Sequence, residues 1–214
     1  MGDNSFKYAC FVSYCHGQYE LMTSFIDQLK GALDAYLDPL LDEGVFIDTG
    51  RLLPGYKYNE TLAQAICQSV CMVVVYSPKY ERHDYCVREY EAMVKLEGAR
   101  RQLLGSAAKG RGFIIPVILR GSDNIPQRIR DHVHYADFSK FTLATPRLAS
   151  NPDYIEKIQQ IAQVIYEQYR AFTELGANPC TGCEEFSLPP ASALPAWRTP
   201  VFVNRQSPAA ANAG

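Results

Sequence analysis

The sequence predicts a doubly wound α/β fold, a five-stranded parallel sheet covered by helices on both faces. Three observations point to it. Short β-branched runs alternate with longer stretches of helical period from Tyr8 to Phe172, and that alternation implies right-handed crossovers between parallel strands. The apolar run Cys71-Met72-Val73-Val74-Val75-Tyr76 reads as a central strand of such a sheet. The chain has 214 residues, 47% of them hydrophobic, enough for one well-filled domain plus a modest appendage.

The first strand is expected from Tyr8 to Ser13, and a helix from near Tyr19 to Leu37, where Leu21, Phe25, Leu29 and Leu33 recur at every fourth position. Asp38-Pro39 interrupts that period, and Val45-Phe46-Ile47 forms a short second strand. The segment from Asp48 to Gly55, with two Gly and a Pro, is a loop. A helix over Tyr58 to Gln68 groups Leu62, Ala65 and Ile66, and a third strand runs from Met72 to Tyr76 before Ser77-Pro78. The next helix carries Glu89, reaches at least Leu96 and turns Val87, Tyr90 and Val94 inward. Gly105 to Gly112 is a turn, and Phe113 to Leu119 a fourth strand that must accommodate Pro116. A short segment at Ile125 to Ile129 precedes a weakly specified fifth strand near His132 to Ala136. The last helix spans Pro152 to about Phe172, with Ile155, Ile158, Ile161, Ala162 and Ile165 as its inward stripe.

Past Leu175 no period persists: Pro189, Pro190, Pro195, Pro200 and Pro208 are mixed with Ala and Ser. Residues 1–175 are therefore read as the domain and 176–214 as a Pro/Ala/Ser-rich extension, either a strap or a flexible tail, with Trp197 and Val201-Phe202-Val203 able to dock. The net charge of -2 and the lack of a long Lys/Arg run predict no grip on nucleic acid or anionic lipid. Neither a membrane span nor a signal peptide is recognisable, so a soluble cytoplasmic protein is expected. Cys10, Cys67, Cys71 and Cys86 read as free, mostly buried thiols. Cys180-Thr181-Gly182-Cys183 has pair spacing, but without a second pair it reads as a loop turn rather than a zinc site. His132 and His134 complete no metal signature with it, and Glu91, Lys95 and Glu97 read as a solvated helix face.

Several linked boxes carry a family resemblance. Tyr8-Ala9-Cys10-Phe11-Val12-Ser13-Tyr14 resembles the opening box of Toll/interleukin-1 receptor (TIR) domains, and Phe46-Ile47-Asp48 with Leu53-Pro54-Gly55 resembles their second box and BB loop. Leu62 to Ile66, Ser69, Val73 to Tyr80 and Tyr85-Cys86-Val87-Arg88-Glu89 are similar to the family's middle segment, in order. Phe138 stands for the aromatic of a weaker third box, and the resemblance covers roughly residues 6 to 172. It implies a flavodoxin-like sheet of strand order 2-1-3-4-5. It also implies that Glu89 takes the place of the catalytic glutamate of TIR enzymes that split NAD, and that Tyr85 stands where many relatives carry Trp.

In that order the first and third strands direct their C-terminal ends at the switch crevice, so the Tyr14-Cys15-His16-Gly17 loop and the Ser77 to Glu89 segment should face each other. The loop from Asp48 to Tyr56 can fold over the opening. No GxGxxG follows the first strand, which disfavours dinucleotide binding for hydride transfer. Glu89 is expected to bond the nicotinamide ribose and stabilise charge at its anomeric carbon. The plainer alternative is a carboxylate placed to suit the helix dipole. Tyr85, at i,i+4 spacing, can wall the ribose or ring. Tyr14 and Phe11 are candidates for aromatic contact, although Phe11 alternates toward the core. Cys15 and Asp48 belong to the loops that frame the crevice. His16 can meet phosphate or water, Arg51 is the cation beside the lid, and Ser77 either donates to ribose or merely ends its strand.

The expected function is thus a glutamate-dependent NAD glycohydrolase or cyclase with NAD as substrate, no cofactor and no metal. Its product would be ADP-ribose, a cyclic isomer or an ADP-ribosyl conjugate. The absence of a fused sensor is similar to stand-alone prokaryotic TIR proteins of antiphage immunity, whose product acts on a separate effector. The alternative is a noncatalytic TIR module that self-associates or scaffolds other TIR domains through the BB loop.

Overall fold

The computed structural model describes residues 6–17, 20–48, 58–130, 134–141 and 147–197. Five strands form one parallel sheet: β1 (Tyr8–Tyr14), β2 (Gly44–Ile47), β3 (Ser69–Tyr76), β4 (Ile114–Ile118) and β5 (Ala136–Asp137), in the order β2-β1-β3-β4-β5. Five helices connect and cover it: α1 (Glu20–Leu37), α2 (Tyr58–Cys67), α3 (Asp84–Leu104), the single turn α4 (Gln127–Arg130) and α5 (Pro152–Leu175). α1 packs on α5 and α2 on α3, which gives the flavodoxin-like, doubly wound arrangement expected from the sequence.

Burial explains why these segments take these positions. All eight residues of β3 are buried, as a strand flanked by neighbours and covered on both faces requires. It begins at Ser69 rather than Met72, because Ser69 pairs with Tyr8 and its hydroxyl donates to the Ala65 carbonyl, 2.7 Å away, closing the turn from α2. β4 tolerates Pro116 because pairing with β5 starts only at Val117, so the missing N–H forfeits no ladder bond on that side. β5 is shorter and later than expected: it is Ala136–Asp137, His134 lies outside it, and His132 is outside the described residues. On α1 the inward stripe is Phe25, Ile26, Leu29 and Leu33, whereas Leu21 is half exposed. On α3 Met93 takes the fully buried position and Val94 packs at its margin.

α5 is capped at both ends. The Asn151 side chain accepts from the amides of Asp153 and Tyr154, and Pro152 occupies the first turn. Gly176, at φ 62°, adopts the left-handed conformation that ends the helix, and the chain turns back. Residues 177–197 then run over α2 and α3 as a strap. Cys183, Leu188 and Trp197 are buried beneath it, and the Trp197 ring lies 4.7 Å from that of Tyr90 and 5.7 Å from that of Tyr80. The expectation that Cys67 is a free thiol is overturned: it is disulfide-bonded to Cys183. That bond spans 116 positions, so it is set by how the strap folds back and not by local spacing. No helix among the described residues is long and apolar enough to cross a membrane.

Candidate functional site

The C-terminal ends of β1 and β3 open on the side where α3 begins. Glu89 lies in the second turn of α3 on its buried face and is only 6% exposed. The Ser13 hydroxyl, near the end of β1, donates to Glu89 Oε2 at 2.6 Å and lies 2.7 Å from the hydroxyl of Tyr80, itself fully buried. The carboxylate is thus held from the sheet side by a hydroxyl pair. Around it a crevice is lined by Tyr14, His16, Asp48, Tyr58, Tyr85 and Cys86, with Val12 and His83 completing the wall. Tyr58 and Tyr85 meet edge to face with ring centroids 5.9 Å apart, and Tyr14 stacks on His16 at 4.6 Å.

Asp48, at the end of β2, ties the far wall together. Its carboxylate accepts from the Tyr58 hydroxyl and lies 3.8 Å from His16 Nε2, while its carbonyl accepts from the Tyr14 hydroxyl at 3.3 Å. These contacts shape the titration of the site. Burial pushes the Glu89 carboxyl up from 4.5 to about 7; the Ser13 hydrogen bond opposes that rise, and the charge of Asp48 adds to it. His16 is raised above its usual value by the Asp48 carboxylate, 3.8 Å from its Nε2. Tyr14 is pushed up to about 12, chiefly by burial, and Tyr58 is raised by burial and its bond to Asp48. The crevice therefore holds a glutamate that titrates near neutral pH, facing Tyr14 and Tyr58, which keep their protons there.

Two cysteines sit beside this wall. Cys86 Sγ lies 3.5 Å from the Tyr14 carbonyl oxygen. The neighbouring Cys86 thiol lowers that of Cys15, while Cys86 itself is raised.

Of the residues singled out from the sequence, the structure brings together Tyr14, His16, Asp48, Tyr85 and Glu89, with Cys15 just behind them. Phe11 is not there: it is fully buried and stacks on Phe46 with centroids 5.2 Å apart, because strand alternation points it into the core. Ser77 is not part of the lining either; its carbonyl accepts from the Tyr80 amide in the turn after β3. Arg51 and Leu53-Pro54-Gly55 lie outside the described residues. Sequence reasoning missed Ser13, Tyr58 and Tyr80. Ser13 carried a signal, a lone hydroxyl at the buried end of an apolar strand, which needs a partner.

Among the described residues the space beside Glu89 is about 50 Å³ and partly open, smaller than the roughly 300 Å³ of a small-molecule pocket. A larger groove of about 580 Å³ lies one strand away, bordered by Pro78, Arg82, Asp123 and Trp197, and does not reach Glu89. Size favours that groove, but the perturbed carboxylate and its convergent polar partners favour the crevice, and chemistry decides in favour of the crevice. Among the described residues no group of three or more His, Cys, Asp or Glu is placed to hold a metal ion. Residues 10–149 match the family described as TIR domain. No curated protein matches the chain.

Proposed function

The chain belongs to the TIR domain family, and from that premise we propose that it splits NAD at the bond between nicotinamide and ribose, with Glu89 as the catalytic residue. The observation that carries this reading is the buried Glu89 carboxylate, hydrogen-bonded by Ser13 and facing a tyrosine-walled crevice at the sheet's switch edge. Nicotinamide is a cationic leaving group in NAD and departs neutral, so no strong general acid is needed. Positive charge passes to the anomeric carbon, and a fixed carboxylate stabilises it most where water is excluded. The cation of the bound substrate also favours the ionised form of Glu89, opposing the burial that raises its pKa. Tyr85 and Tyr58 supply a flat wall for the ring or ribose.

Cleavage alone does not decide the product. Water would give ADP-ribose, an adenine nitrogen or adenosine hydroxyl a cyclic isomer, and another acceptor a conjugate. In this proposal the product is a nucleotide signal made in the cytoplasm and read by a separate effector, with antiphage immunity as the setting; that setting rests on family analogy.

The 50 Å³ of space beside Glu89 favours a second reading. TIR domains self-associate, and the small space bordered by the described residues fits either a site completed by a neighbouring copy or a noncatalytic scaffold. Incubating the purified protein with NAD over a range of protein concentrations, with products separated by chromatography and identified by mass spectrometry, distinguishes them. Turnover that rises faster than protein concentration and disappears in Glu89→Gln supports the composite enzyme. Equal inactivity of both proteins at every concentration supports the scaffold.

A further inference from the structure

Away from the crevice, three cysteines and a buried guanidinium converge where the strap meets the body of the domain. Cys67, the last residue of α2, is bonded to Cys183 of the strap. Cys180 lies in the same C-x-x-C turn, closed by the Cys183 amide donating to the Cys180 carbonyl, and its Sγ is 3.7 Å from the Cys67 carbonyl oxygen. That carbonyl also accepts from Arg100 Nη2 at 2.9 Å. Arg100 is 1% exposed, and its other hydrogen bonds go to the Val70 carbonyl and the Met93 sulfur. Among the described residues no carboxylate is within ion-pair distance of it, so a full positive charge stands beside the place where exchange would generate a thiolate.

We propose that Cys67, Cys180 and Cys183 form a thiol–disulfide exchange site, served by dithiol reductants, that latches the strap onto the domain and thereby supports Glu89. In the exchange the Cys180 thiolate attacks the Cys183 sulfur. The Cys180–Cys183 bond forms, the Cys67–Cys183 bond breaks, and Cys67 leaves as a thiolate that takes up the proton Cys180 gave up. Nothing is oxidised or reduced on balance, yet the covalent tie between α2 and the strap is gone. An external dithiol then reduces the loop disulfide and is itself oxidised to a disulfide.

Once the strap is untied, only weaker, non-covalent contacts oppose its release. The Pro189 carbonyl accepts from Arg88 Nε at 2.7 Å, Lys95 lies over the Phe186 ring at 5.7 Å, and Trp197 packs on Tyr80 and Tyr90. The last is strained in polar terms, because the buried Trp197 Nε1 has no hydrogen-bond partner among the described residues. The first and third anchors bear on Glu89. Arg88 is its chain neighbour, and Tyr80, beneath Trp197, shares a 2.7 Å hydrogen bond with the Ser13 hydroxyl that donates to the carboxylate. This last link rests on the NAD reading of Glu89; the latch does not.

Trp197 is the only Trp of the chain, so its fluorescence reports strap docking without reference to catalysis. The full chain, oxidised in air, would be titrated with dithiothreitol while disulfides are mapped by non-reducing peptide mass spectrometry and Trp197 emission and acrylamide quenching are followed. The expected result is Cys67–Cys183 at the start, Cys180–Cys183 as an intermediate, and a red-shifted, more quenchable Trp197 as Cys67 is released. Cys180→Ser should remove the intermediate and slow release about tenfold or more. Cys180→Ser combined with Cys183→Ser, which alters only the strap and leaves Cys67 no thiol there to bond, should show the exposed Trp197 without reductant. A Trp197 that stays docked after full reduction and in the double variant overturns the latch, and failure of the Cys180–Cys183 species to form overturns the exchange. Nicotinamide release on the same samples separates the two claims. Turnover in none of them counts against the NAD reading while Trp197 still decides the latch, and equal turnover with Trp197 docked and released overturns the link to Glu89.

Discussion

Ser13 and Glu89, 76 positions apart, are joined by a 2.6 Å hydrogen bond in which the hydroxyl donates to Oε2. It opposes the effect of burial on the carboxyl, so Ser13→Ala should raise the Glu89 pKa further above about 7. The acidic limb of the pH profile for nicotinamide release should move to higher pH, with activity recovered in alkaline buffer. Ser13→Thr, which keeps a donor, should stay closer to the parent profile. A Ser13→Ala limb that does not move would detach this bond from the titration of Glu89.

The raised pKa of Glu89 also has a thermodynamic consequence that needs no substrate. The folded carboxyl titrates at about 7 and the unfolded one near 4.5, so the unfolded state releases its proton first as pH rises. Stability tied to this group is fully present below 4.5 and is lost as pH climbs through 7. Glu89→Gln removes the penalty, about 3 kcal/mol by linkage. The variant should melt several degrees above the parent at pH 8 and close to it at pH 4.5, as scanning calorimetry at both values would record.

How much of this was legible in the sequence depends on whether the signal was local. The sheet was legible because β-branched runs and helical periods repeat along the chain, and because β3 is apolar at nearly every position. The pairing of Tyr85 with Glu89 was legible because i,i+4 spacing fixes a shared helix face. Ser13, Tyr80 and the Cys67–Cys183 bond were not, since each is defined by a partner tens of positions away. β5 was misplaced because two residues carry no period. Arg100 sits in Ala99-Arg100-Arg101-Gln102, where nothing local distinguishes it from its exposed neighbour Arg101.

Asp48 raises both His16 and Glu89, so one substitution should move two titrations in the same direction. Asp48→Asn keeps the size of the side chain and removes its charge. His16 loses an attracting negative charge nearby and Glu89 a repelling one, so both pKa values should fall. A pH titration followed by NMR, using the His16 ring protons and the Glu89 side-chain carboxyl carbon, reads each directly. A fall at His16 without one at Glu89 would mean that Asp48 is felt only through its hydrogen bonds.

Arg100 is the largest fully buried side chain among the described residues, and its value lies in the carbonyls it satisfies. Its guanidinium donates to Val70 and Cys67 at 2.9 Å each and lies over the rings of Phe6 and Phe113 at 5.4 and 5.9 Å. Burial lowers its pKa to about 10, so it stays charged at neutral pH and bears a desolvation cost that the two carbonyls and two rings offset. Arg100→Ala leaves both carbonyls without their donor and opens a cavity between the rings, for a loss of roughly 3–5 kcal/mol. Arg100→Met fills most of that volume but supplies no donor, so it should recover part of the loss. Arg100→Lys, with a single ammonium in place of the planar fork, should not restore the parent, because it cannot span both carbonyls in one plane. Urea unfolding of the three variants at pH 7 should therefore place Arg100→Ala lowest and all of them below the parent; equal midpoints for Arg100→Ala and Arg100→Met would show that the donors, not the packing, carry the whole effect.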